Sequence, residues 1–137
     1  MAYDDQNIFA RILRGELPAI KVYEDDKVLA FMDIMPQAEG HTLVIPKSPA
    51  ETLLDLDAED AAYTIQIVQK IARAIEKGLD AKGIVLMQLS GASAGQTVPH
   101  VHFHLIPSSI QELGRHAATM GDTDKIQALA EKIKAAL

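Results

Sequence analysis

The 137-residue sequence has no cysteine and no tryptophan, and only three tyrosines and three phenylalanines. The lack of cysteine excludes a disulfide framework, a thiol nucleophile and a zinc site with thiolate ligands. It fits a reducing compartment, and the cytoplasm is the expected location. Long apolar runs are also missing: none approaches the ~18 residues that a bilayer crossing needs. No membrane partner is therefore expected. The opening "MAYDDQNIFA" is acidic and lacks the basic and apolar regions of a signal peptide. Positive charge is scarce, with 13 Lys and Arg against 19 Asp and Glu, a net charge of −6 and a pI near 5.2. Polyanion binding depends on clustered basic residues that release counterions, so nucleic acid is not an expected partner. A small anion held by local donors stays open.

What is present is an ordinary globular composition, 48% apolar and 23% charged. No internal repeat, low-complexity tract or linker interrupts it, so one domain over 1–137 is expected. "NIFARILRGELP" reads as a short amphipathic helix with Ile8, Phe9, Ile12 and Leu13 inward, ended by Gly15 and Pro18. "IKVYEDDKVLAFMDI" reads as two strands around a tight Glu24–Asp26 turn, whose acidic cluster should be solvated. "HTLVIP" is a third strand, and "SPAE" at 48–51 has a capping-box pattern that should open a helical turn.

A long helix is expected from near Asp57 to just before Gly78. Ala58, Ala61, Ile65, Val68, Ala72, Ile75 and Leu79 form one apolar row; Tyr63, Ile67, Ile71 and Ala74 form a second. A surface helix needs only one stripe, so two rows predict packing on the sheet and on something else. "GIVLMQL" and "HVHFHLI" read as strands four and five, and Asp122 should cap a closing helix with Ile126, Leu129, Ala130 and Ile133 on one face. The short connections favour an antiparallel α+β sheet.

Three of the five histidines, His100, His102 and His104, fall on alternate positions of "VPHVHFHLIP". On a strand they share one face, with Val101, Phe103 and Leu105 on the other. Massing ionisable rings costs desolvation and mutual repulsion unless they serve a common purpose. Two purposes fit: a metal site, since neutral imidazole is a common zinc ligand, or a catalytic row of nucleophile and helpers. The preceding "GASAGQT" at 91–97 is rich in small residues that let backbone N–H groups approach an anion. From Ala81 to Gln111 there is no Asp or Glu to complete a metal site nearby in sequence. His116 lies outside every motif and reads as a surface residue.

"HVHFHLI" resembles the His-φ-His-φ-His-φ-φ signature of the histidine triad (HIT) family. "IFARILRGELPA", "YEDDKVLAFMDIMPQAEGHTLVIPK" and "AGQTVPHVHFHLIP" extend the resemblance to its nucleoside-phosphoramidase branch over nearly the whole chain. The resemblance implies a five-stranded antiparallel sheet with one long central helix and short terminal helices, extended to ten strands in a homodimer. It also implies attack on the α-phosphorus of a purine mononucleotide derivative, a phosphoramidate or acyl adenylate, with no cofactor. In that scheme His102 is the nucleophile, giving a nucleotidyl-imidazole that water opens. His100 and His104 position it, bind phosphate oxygens and assist the leaving group; His41 supports the row from the next strand. Gln96, Thr97 and the Gly95 backbone hold the phosphate, Asp33 accepts from both ribose hydroxyls, and Ile8, Phe9, Ile12, Phe31 and Ile34 surround the base.

Plainer roles exist for several of these residues: a turn carboxylate for Asp33 before Pro36, and core packing for Ile8, Phe9 and Ile12. The chain also departs from some relatives, which carry a structural zinc site where Asn7, Ala10 and Pro49 stand here, so no metal is expected. Leu89 and Ser90 occupy a region where the family often has Asn. A dinucleoside polyphosphate hydrolase and a nucleotide-binding regulatory module with little turnover are the alternative functions. Metal-dependent hydrolysis is the reading outside the family.

Overall fold

The computed structural model describes residues 2–113 and 119–137; His116 lies outside them. Helix α1 (Ile8–Leu13) starts where the Asn7 side chain accepts the Ala10 amide, and it stops before Gly15, which takes φ +79°. It buries Phe9, Ala10 and Ile12 but leaves Ile8 53% exposed, so Ile8 turns outward instead of inward.

Five strands follow, β1 (Lys21–Glu24), β2 (Val28–Met32), β3 (Thr42–Pro46), β4 (Val85–Met87) and β5 (Phe103–Ile106), in the antiparallel order β1-β2-β3-β5-β4. This is the expected α+β sheet. Side chains alternate between its faces. Val28, Ala30, Met32, Val44, Phe103 and Leu105 join one apolar core with helices α2 (Ala58–Leu79) and α3 (Thr123–Ala135). Leu29, Phe31, Leu43 and Ile45 form a second cluster with Phe9 and Ile12 of α1. Both faces of β2 and β3 are thus covered, which is why these strands read as continuous apolar runs. The second face matters for function, because His104 stands on it beside Leu43.

Helix α2 continues through Gly78, its expected stop, to Leu79, and Asp80 caps it in the left-handed conformation. Gly78 is inside the helix because α3 crosses there: a Cβ on it would lie 2.5 Å from the Lys132 carbonyl oxygen. Close packing, not helix termination, explains this glycine. The buried stripe of α2 is Thr64, Ile67, Val68, Ile71, Ala74 and Ile75, in which both expected rows are represented. Of the rest of the first row, Ala61, Ala72 and Leu79 pack partly buried against the same core, and Ile65, 45% exposed, marks a shoulder on the open side. Leu86, on the outer strand β4, is 50% exposed. Asp122 caps α3 as expected, accepting the Asp124 and Lys125 amides, and Ile126, Ala130 and Ile133 are buried.

Three local expectations change. Residues 48–51 form no helical turn. Their carbonyls are taken by tertiary partners instead, Ala50 O by the Val101 amide and Glu51 O by the Gln96 side chain. The Val101 bond also draws the chain around His100 out of the ladder, so β5 begins only at Phe103. Asp25 is not merely a solvated turn residue. It accepts from Tyr23 and Tyr63 hydroxyls and from the Lys27 and Val28 amides. Burial raises its pKa, but these four donors outweigh that and hold it at about 2. Glu24 pairs with Lys47 and Lys21.

Candidate active site

His41 closes the β2–β3 connection, whose ends are tied by the Asp33 amide donating to the His41 carbonyl at 3.0 Å. Gly40 precedes it with φ +88°, and a Cβ there would overlap the Leu79 side chain. The loop therefore needs glycine at that point. The Gln37 amide donates to His41 Nδ1 at 3.0 Å. A nitrogen that accepts has no proton, so the neutral ring carries its proton on Nε2. That N–H donates to His104 Nδ1 at 2.9 Å. The His41 side chain is 1% exposed, and burial, followed by the charge His102 can carry, pulls its pKa down to about 4. His41 is neutral at physiological pH. His104, accepting at Nδ1, must hold its own proton on Nε2.

The neighbouring ring has the opposite arrangement. His102 Nδ1–H donates to the His100 carbonyl at 2.7 Å, so its Nε2 carries the lone pair. The ring is 4.9 Å, centroid to centroid, from both His104 and Phe9. Burial lowers the His102 pKa, against the hydrogen bond to the His100 carbonyl. The row thus presents a basic nitrogen on His102 next to an N–H on His104.

Both rings line a cavity of about 430 Å³. It brings together most of the residues named from the sequence: Ile8, Phe9, Ile12, Phe31, Asp33, Ile34, His41, Gly95, Thr97, His102 and His104. Met35, Leu43, Met87, Leu89 and Val98 complete much of its apolar wall. Ile8's outward turn is explained here, since its side chain is wall and not core.

Two residues are not brought into this cavity. His100 is fully buried and does not line the cavity. Its Nε2–H donates to the Pro46 carbonyl at 2.8 Å, and its backbone carbonyl orients His102. Gln96 is likewise occupied elsewhere. Its Oε1 accepts the Gly91 amide at 2.7 Å, and its Nε2 donates to the Glu51 and Val98 carbonyls. It shapes the loop that presents Gly95 and Thr97, and it does not line the cavity. Gly95 itself takes φ +109° after a 3₁₀ turn at Ala92–Ala94. Sequence reasoning missed Tyr3 and the Pro46 carbonyl, for which no motif exists. Asn7 was missed as well, although its position before "IFARIL" carries an N-cap signal that could have found it.

Asp33 is at the rim, its side chain 19% exposed, with Oδ1 accepting the Met35 amide at 2.8 Å. Burial raises its pKa, and the Met35 bond opposes this. Oδ2 lies 3.4 Å from His41 Nε2, a distance compatible with an ion pair. The shifts say otherwise: burial favours the neutral form of each group, so this is a polar contact with a neutral imidazole.

Asp33, His41 and His104 place three donor atoms within 4.8 Å of one another, close enough to consider a metal ion. The Gln37 amide argues against it. Ligation through His41 Nε2 would displace that nitrogen's proton while Nδ1 remains an acceptor, which requires an imidazolate or a broken hydrogen bond.

An antiparallel α+β sheet with a polarised histidine row over an apolar, carboxylate-rimmed cavity defines a class of small-molecule site, suited to nucleophilic attack on a bound electrophile. Residues 14–110 match the HIT domain, and the chain belongs to the HIT family. It is 36% identical over 129 residues to the adenosine 5'-monophosphoramidase of Schizosaccharomyces pombe, covering 92% of this chain and 94% of that protein. The Candida albicans adenosine 5'-monophosphoramidase is 34% identical, with 98% and 93% covered. Among solved structures, a Hit-like protein involved in cell-cycle regulation from Bartonella henselae superimposes with a TM-score of 0.92 at 50% identity, covering 100% of both chains. Among the described residues, no helix is long and apolar enough to cross a membrane.

Proposed function

We propose that this chain is a nucleotide hydrolase that cleaves at the α-phosphate of purine nucleoside phosphoramidates or acyl adenylates. The observation that carries the reading is the fixed tautomer of His102: backbone holds its Nδ1 proton and leaves Nε2 basic at a nucleoside-sized cavity. In the reaction, Nε2 of His102 forms a bond to the α-phosphorus as the bond from phosphorus to the amine or carboxylate breaks. His104 Nε2–H is the adjacent group that hydrogen-bonds the phosphoryl oxygen or the departing atom, and a departing amine takes its proton from solvent water. Water then attacks phosphorus, the P–N bond to His102 breaks, and the mononucleotide leaves. Asp33 reads the ribose hydroxyls at the rim. Ile8, Phe9, Ile12, Phe31 and Ile34 enclose the base, and Thr97 with the Gly95 backbone takes the phosphate. Relatives named as adenosine 5'-monophosphoramidases support the substrate class.

The test is turnover of adenosine phosphoramidate against a diadenosine polyphosphate, with released AMP quantified for each. Preference for the phosphoramidate is expected; preference for the polyphosphate would overturn the assignment. Residues 1–137 are proposed to form one HIT domain that pairs as a homodimer through the exposed shoulder of α2 and the outer strand β4. Exposed Ile65 and Leu86 support this, since apolar surface left open on both elements favours a partner. Light scattering at micromolar concentration should give twice the 14.9 kDa chain mass; a clean monomer would reject the pairing.

A further inference from the structure

The buried His100 ring is held at both nitrogens, and one of its partners comes from the far end of the chain. Its Nε2–H donates to the Pro46 carbonyl at 2.8 Å, so Nδ1 must be the acceptor. The group donating to Nδ1 is the Tyr3 hydroxyl, at 2.6 Å and 97 residues away in sequence. Tyr3's direction of donation is itself fixed. Asn7 Oδ1 accepts the Ala10 amide, which identifies the other terminal atom as Nδ2, and Nδ2 donates to Tyr3 Oη at 2.9 Å and to the Asp4 carbonyl at 2.7 Å. Every proton in the series therefore points one way: Asn7 to Tyr3, Tyr3 to His100, and the His100 ring to Pro46. The His100 carbonyl, on the same residue, then receives the His102 Nδ1 proton at 2.7 Å.

Elsewhere, the second cavity, about 260 Å³ behind Asp33 and His41, is bordered by the exposed Lys125–Glu39 pair, whose charges satisfy each other. The Tyr23–Asp25–Tyr63 cluster is likewise bonded within itself and ties β1–β2 to α2.

We infer that Tyr3 is a positioning residue for the triad: the segment before α1 straps across the buried side of the histidine row, and its hydroxyl fixes the His100 ring so that the His100 carbonyl holds His102 with Nε2 basic. The inference rests on His102 being the nucleophile. Tyr3 is not part of the cavity wall, so its loss should alter the rate of attack and spare binding. Hydrogen bonds in a series polarise one another at low dielectric, so removing one member loosens the next.

Two variants test this, each read three ways. Tyr3→Phe keeps the ring that meets His100 edge-on at 5.7 Å and deletes only the hydroxyl. Asn7→Asp keeps the oxygen that caps α1 but replaces the donor to Tyr3 with an acceptor, which competes with His100 for the tyrosine proton. Both should lower kcat about 10-fold or more, with KM for adenosine phosphoramidate within about two-fold of wild type, as each tenfold is about 1.4 kcal/mol of barrier. In ¹⁵N spectra, the His100 Nδ1 resonance should shift on loss of the hydroxyl, and the His102 ring should become a mixture of tautomers. Near-ultraviolet circular dichroism should remain native. Unchanged kcat and unchanged ¹⁵N signals in Tyr3→Phe would overturn the strap. A rise in KM matching any fall in kcat/KM would overturn it as well. Should His102→Ala retain turnover, the nucleophile assignment fails instead, whereas the ¹⁵N shift in Tyr3→Phe still reports on the strap.

Discussion

Lowering the pH from 7 to 5 should destabilise this protein by about 2 kcal/mol through His41 alone. In the unfolded chain the imidazole titrates near 6.5. In the folded protein burial pulls it down to about 4, with the adjacent His102 adding to the effect. The unfolded state therefore binds a proton that the folded state refuses, and stability falls as pH drops from about 6.5 towards 4. At pH 5 the unfolded imidazole is about 1.5 units below its pKa, worth about 2 kcal/mol at 1.4 kcal/mol per unit, while the folded ring remains mostly neutral. His100 and His102 have pKa values lowered mainly by burial and act in the same direction. Asp25, at about 2, loses its contribution only as pH falls below the ordinary aspartate range. Urea unfolding at pH 7 and pH 5 measures the slope directly. His41→Gln removes the titration and should reduce the stability difference between the two pH values by about 2 kcal/mol, even though the variant is less stable overall. An equal difference in wild type and His41→Gln would refute the claim that His41 is buried neutral.

Because burial also lowers the His102 pKa and the reaction needs its neutral form, the acid limb of kcat/KM should lie below about pH 6.5; a limb at or above that value would contradict the site's electrostatics. Gly78→Ala, which in an open helix would gain about 1 kcal/mol, should here lose about 1–3 kcal/mol from the overlap with the Lys132 carbonyl. Chemical denaturation that shows stabilisation would remove the close α2–α3 crossing from the account. Asp33→Ala should weaken AMP binding by about one to two powers of ten and leave binding of a 2′,3′-dideoxy analogue little changed. Equal losses measured by calorimetry would mean that Asp33 supports its turn through Met35 and does not read ribose.

Much of this architecture was legible because it rests on local chemistry. The strands around Glu24–Asp26, the Asp122 cap and the alternation of Phe103 and Leu105 against His104 follow from propensity and period. The long-range bonds were not legible. "SPAE" has a sound capping pattern, yet Ala50 and Glu51 offer their carbonyls to Val101 and Gln96 instead of to a helix. The chain at His100 is thereby taken out of the strand, so the three histidines are equal in the sequence and unequal in the structure. His102 and His104 face the cavity, while His100 faces Pro46 and Tyr3. Gly78 marked a helix end by its residue type, but the constraint on it comes from α3, which no local window contains. Of the residues that the family resemblance assigns to the ligand or its immediate chemistry, His100 and Gln96 are the two outside the cavity wall, because backbone groups, and for His100 also the Tyr3 hydroxyl, take up their side chains here.

The most direct test of the account is to trap the intermediate. Rapid acid-free quenching of the protein with adenosine phosphoramidate, followed by peptide mass spectrometry, should locate one adenylyl group on His102. His102→Ala should show no adduct and a rate lower by several powers of ten, while still binding AMP. An adduct on His104 or His41, or wild-type turnover by His102→Ala, would contradict the assignment of His102 as the attacking residue.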